Sequence, residues 1–131
     1  LEACAVRRAA ERLDDGALAA IGEELDRLEA AAAAGDVVGF RDHNQRFHDA
    51  ILAAAGWPTL AELIEQMARA TERYRRAAAS LFDQRYLDAA QAEHRQLFAL
   101  LRGRRGDEAA VLAQTHALTF AVHLARSMET N

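Results

Sequence analysis

The chain has 131 residues, 51% of them apolar, with seven Gly and one Pro, which suits one globular domain, residues 1–131, with a core of its own. A formal net charge of −4 argues against a nucleic-acid-gripping surface, which needs a clustered positive field, so any DNA contact is expected elsewhere. One cysteine, Cys4, allows no internal disulfide, and the lack of a signal-like pattern or an apolar run of roughly 18 residues points to a reduced, cytoplasmic setting without membrane contact.

Alanine dominates and β-branched residues are scarce, a balance that favours helix because Ala gives up no side-chain entropy on entering one. The expected fold is all-α, an antiparallel bundle of about six or seven helices. The first helix runs from Glu2 to about Leu13 and stops at Asp14-Asp15-Gly16, with Cys4 expected inside it as a small apolar side chain. A second covers about Ala17 to Ala34, with Ile21, Leu25 and Leu28 on one side and Gly35 ending it. Asp36 is the expected N-cap of a third helix, which reaches Ala55 before Gly56-Trp57-Pro58 turns the chain. Pro58 suits a helix start, and the fourth helix, about Thr59 to Leu81, carries Leu60, Leu63, Ile64, Met67, Thr71 and Tyr74 at spacings of three and four. A connector near Phe82 to Arg85 leads to a fifth helix, about Tyr86 to Arg102, whose apolar stripe contains His94 beside Leu97, Phe98 and Leu101. Gly103-Arg104-Arg105-Gly106 reads as a charged turn. Asp107 then caps a sixth helix to about Met128, with Leu112, His116, Phe120 and His123 on one face. Short connections imply antiparallel neighbours. The opening residue is Leu1 rather than Met, which predicts further sequence upstream.

The third helix places Asn44 and His48 among Phe40, Phe47, Ile51, Leu52 and Ala55, on the face it is built to hide. Three imidazoles and one amide on core-facing stripes require partners, because a buried polar group without one costs about 1–3 kcal/mol. His94 and His116 stand 11 residues before and after Arg105, the midpoint of a turn, so an antiparallel hairpin holds them at one height. Asn44 and His48, four apart, share a face and reach one point. Neutral imidazole nitrogens with a short-side-chain oxygen are donors that zinc, nickel, cobalt, manganese or iron accept. The plainer reading gives each histidine a backbone carbonyl as its partner. His43 points off the Asn44/His48 face and is expected in solvent, and His123 is expected near the end of the bundle.

Asn44-x-x-Phe47-His48, then Glu93-His94, then Gly106-Asp107 and His116 at 22 residues beyond His94, resembles the FCD domain, the C-terminal effector-binding domain of FadR-type GntR transcriptional regulators. The resemblance spans nearly the whole chain and includes Ala9-Ala10-Glu11-Arg12-Leu13 and Ala34-Gly35-Asp36. It implies a divalent metal, zinc or nickel foremost, held inside the bundle by Asn44, His48, His94 and His116. Two positions depart from the pattern. Asn44 stands where an aspartate is more usual, and the weaker amide oxygen leaves the site with one more positive charge. Trp57 replaces an Asn expected after the third helix and is expected to cap the end of the bundle.

The resemblance further implies that open coordination positions on such a metal receive a small organic acid as effector, its carboxylate clamped by an arginine. Counting back from the turn near Trp57 places His48 opposite about Gln66, so Arg69 and Arg73 are the expected effector-binding residues. The functional expectation is an effector-sensing, homodimerising module of a GntR-type regulator, whose winged-helix DNA reader lies outside this chain. Catalysis is not expected, because no Asp or Glu falls on the stripes beside the proposed ligands and Glu93 is turned away from His94 by one position. The competing expectations are a metal-dependent, hydrolase-like helical enzyme and a structural interaction domain with hydrogen-bonded histidines.

Overall fold

The computed structural model describes residues 1–129. Six helices follow one another: α1 (Glu2–Arg12), α2 (Asp15–Ala34), α3 (Val37–Ala55), α4 (Pro58–Ala79), α5 (Gln84–Arg102) and α6 (Gly106–Glu129). No strand occurs among the described residues, in keeping with the expected all-α bundle.

The boundaries follow from capping chemistry. Asp14, Asp36 and Asp83 each accept a hydrogen bond from the backbone N–H three residues on, at 2.8, 3.0 and 2.8 Å. Each bond satisfies one of the donors that a helix start leaves open. Asp14 is thus the cap of α2 rather than only a breaker, and Asp83 starts α5 two residues earlier than Tyr86. Asp107 lies within the first turn of α6, which begins at Gly106. Gly35 and Gly56 close α2 and α3 at φ 66° and 61°, the left-handed region that glycine enters without a steric penalty.

α1 is the central element and packs against α3, α5 and α6. Its buried face is Ala5, Val6, Ala9, Ala10 and Leu13. Such small side chains let the neighbouring helices come close. That face turns Cys4 outward, so the expectation of a buried cysteine is corrected: Cys4 is exposed. α2 covers α3 and α5, and Ile21, Leu28, Phe47, Ile51, Leu87 and Leu101 are all shut off from water. Each contributes about 1.5–3 kcal/mol through burial.

α4 behaves differently. It leans mainly on α6 and only lightly on α3, and while Leu60 and Ile64 are buried, Leu63, Met67 and Tyr74 remain exposed. α6 likewise exposes Val111, Leu118 and Val122. The α4 stripe expected from sequence is therefore only partly covered by this chain. Trp57 precedes α4, half exposed, with the Arg8 guanidinium 5.5 Å from its ring centre, while Arg8 Nε donates to the Ala55 carbonyl at 2.8 Å. No described helix is long and apolar enough to cross a membrane.

Candidate metal centre

His48 projects from α3, His94 from α5 and His116 from α6. The antiparallel α5–α6 hairpin sets His94 and His116 at one height, with ring centres 4.8 Å apart, as their equal distances from the turn require. His48 completes the group from the third side, at 5.7 Å from His94 and 5.6 Å from His116. Phe47, wholly buried, packs against the rings of His48 and His94 at 5.5 and 5.1 Å and restricts their rotation.

One nitrogen from each ring lies within 4.8 Å of the other two. Nitrogens on a shared ion stand roughly 3.3 Å apart when bonds to the ion are about 2.0–2.1 Å. Sharing one ion would therefore require the rings to draw closer than that outer limit.

The hydrogen bonds leave particular nitrogens free. His94 Nδ1 bonds the Gln91 side-chain oxygen at 2.8 Å, so it carries the proton and Nε2 keeps its lone pair. His94 is 1% exposed, and its Nε2 has no partner. His116 Nδ1 donates to Glu93 Oε2 at 2.8 Å, and since an ionised carboxylate only accepts, the proton of His116 is fixed there too. This is the outer support that metal-binding histidines commonly carry. Burial, reinforced by the neighbouring His48 and His116, holds His94 well below its usual pKa. Burial also lowers His48; the Glu2 charge pulls the other way, while His116 and Arg75 add to the depression. His94 and His48 are accordingly neutral near pH 7, the form that ligates. The donor set fits a borderline divalent metal.

Asn44 is half-buried one turn before His48 on α3. The other expected residues are placed differently. Arg69 is exposed and meets Glu65 at 3.9 Å, and Arg73 is exposed with its guanidinium 5.4 Å from the Tyr74 ring centre. No arginine of α4, Arg75 included, lines the cavity beside the histidines, which is bounded by Glu2, Val6, His48, Ile51, Leu52, Leu97, Ala113 and His116. The half-buried arginine of α4 is Arg75, which donates to Gln45 Oε1 at 3.1 Å and lies 3.7 Å from Glu72.

Three expectations are corrected. Glu93 faces His116, because a one-residue offset from His94 on α5 still looks across the hairpin seam. Glu2 reaches the cavity from α1, so two carboxylates stand beside the imidazoles where none was expected. His43 is half-buried and bonds Glu24 Oε2 at 3.2 Å instead of facing solvent. His123 lies away from the centre, packing on Phe82 and Tyr86 at 5.1 and 4.5 Å and bonding the Ala78 carbonyl at the end of α4. Glu93 had a sequence signal, its adjacency to His94 in a hairpin; Glu2 and Arg75 had none, since both depend on how α1 and α4 cross the rest.

Among known proteins, the FCD domain family matches residues 1–119. No curated protein and no solved structure matches the chain. A helical bundle matched by that family over residues 1–119 of 131 belongs to the FCD domains, the effector-binding domains of GntR-family regulators.

Proposed function

We propose that this domain senses a small carboxylate metabolite through a divalent metal held by Asn44, His48, His94 and His116, and transmits the result to a DNA-reading domain outside the chain. The observation that carries this reading is the unpartnered Nε2 of His94, buried at 1% exposure and within reach of two further imidazoles. A buried nitrogen without a partner costs about 1–3 kcal/mol, and a metal ion bound there removes that cost. Zinc or nickel suits the donor set, and when bound it supplies open positions for a carboxylate oxygen.

The protein's own groups shape the response. The cavity beside the histidines measures about 10 Å³, on the order of one water molecule. An organic acid therefore enters only by moving lining side chains such as Leu52 and Glu2, and that displacement strains α1 and α3. Binding of this kind separates two states of the bundle by their affinity for effector. For the arginine clamp, Arg75 takes precedence over Arg69 and Arg73, because it is half-buried and its charge already acts on His48. Homodimerisation in the cytoplasm completes the proposal. It is supported by the exposed stripes Leu63, Met67 and Tyr74 on α4 and Val111, Leu118 and Val122 on α6, each at steps of four and seven.

The test is metal content and stability measured together. Wild-type protein exposed to zinc or nickel is expected to hold about one ion per chain and to melt higher. His94→Ala is expected to lose the ion and, through the space it leaves, about 2–4 kcal/mol of stability. Full metal retention by His94→Ala refutes the ligand assignment.

A metal-dependent hydrolase is the second reading, favoured by one observation: Glu2 lines the cavity beside His48 and His116, where a carboxylate can act as a base. Turnover of simple esters by the metal-loaded protein, abolished by chelation, is its measurement.

A further inference from the structure

Three imidazoles and the Asn44 amide are all uncharged donors. A divalent cation held by them alone keeps its whole charge, and the cavity next to it is walled by Val6, Ile51, Leu52, Leu97 and Ala113. Charge in hydrocarbon surroundings is costly unless an opposite charge accompanies it. Two carboxylates border this site. Glu93 is committed to His116 Nδ1. Glu2, in the first turn of α1, lines the same cavity as His48 and His116 and enters none of the ion pairs among the described residues.

We propose that Glu2 is the anionic oxygen ligand of the metal centre, supplied from α1 to complete the uncharged set of Asn44, His48, His94 and His116. The inference rests on the metal reading above and extends it to a residue on a fourth helix. A metal bond to Glu2 fastens the first turn of α1 to α3, α5 and α6. An incoming carboxylate then competes with Glu2 for the same cation, so α1 is released as effector binds.

The experiment compares zinc affinity, by competition with a chromogenic chelator, for wild type, Glu2→Gln, Asn44→Asp and the double variant, with cobalt absorption spectra in parallel. Glu2→Gln is expected to bind zinc at least ~10-fold more weakly and to alter the cobalt ligand-field bands. With Asn44→Asp present, a carboxylate is already in place, and the added Glu2→Gln change is expected to cost much less. Melting of the metal-free proteins checks that Glu2→Gln is folded. Glu2→Gln binding zinc as wild type does overturns this proposal and leaves the metal reading intact. Weakened zinc binding with unaltered cobalt bands also overturns it, because Glu2 then acts as a nearby charge and not as a ligand. Absence of zinc and cobalt binding by wild type removes both.

Discussion

Glu93 on α5 and His116 on α6 are joined by a 2.8 Å hydrogen bond across the hairpin seam, which settles which nitrogen of His116 carries its proton. The carboxylate is only about a fifth exposed, so the bond is not dissipated in water. Nε2 is thereby left to the cavity with its lone pair.

Glu93→Gln keeps the shape of the side chain and removes its charge. Metal affinity is expected to fall by roughly 10–100-fold with little change in the fold. Competition with a chelator of known affinity measures it, and an unchanged affinity means that His116 needs no such support.

Protonation supplies an independent check on burial. His94 and His48 have pKa values lowered in the folded protein, chiefly by burial. In the unfolded chain each takes up a proton near pH 6.5, as an ordinary histidine does. Below that value the unfolded state binds more protons than the native one, so stability is full above about pH 6.5 and declines as pH falls toward the folded-state values. Metal-free protein is expected to melt lower at about pH 5.5 than at about pH 7.5, and His94→Leu is expected to flatten that dependence. Equal pH slopes for the two proteins contradict a buried, neutral His94.

Two arginines two residues apart on α4, and so on different sides of it, give a contrast. Arg75 is half-buried against Gln45 and Glu72, while Arg73 is exposed beside Tyr74. Arg75→Ala is expected to weaken binding of a small dicarboxylate to metal-loaded protein by about 1.5–3 kcal/mol, the worth of a hydrogen bond to a charged group, and Arg73→Ala to leave it near wild type. Calorimetric titration with malate or succinate compares them; the opposite order returns the clamp to Arg73.

Leu118 is among the most exposed apolar side chains of α6, at 64%. If the α4 and α6 stripes meet a second copy, Leu118→Glu places a charge in that seam and is expected to weaken self-association by roughly 2 kcal/mol or more. Sedimentation at several concentrations reads this directly, and a wild type that is monomeric throughout refutes the dimer.

The helices were legible because their punctuation is local. Asp14, Asp36 and Asp83 cap within three residues of themselves, and Gly35 and Gly56 mark two helix ends by backbone conformation alone. The pairing of His94 with His116 was legible for a related reason, since distance from a tight turn fixes height in a hairpin. α4 was not. Periodicity shows which side of Leu60 to Tyr74 is apolar but not what covers it, and α4 crosses toward α6 instead of running along α3. Counting from Trp57 therefore could not show that Arg69 and Arg73 are exposed while Arg75 is half-buried. Glu2 was hidden likewise, because α1 reaches the centre through long-range packing that no local spacing encodes.

Trp57 is the only tryptophan of the chain, and it lies under the Arg8 guanidinium of α1 while Arg8 grips the last turn of α3. Indole emission responds to a cation over its face and to the water around it. The protein therefore carries an intrinsic optical gauge at the joint between α1 and α3. Any slippage of α1 during titration changes the colour or brightness of that single fluorophore, with no label attached.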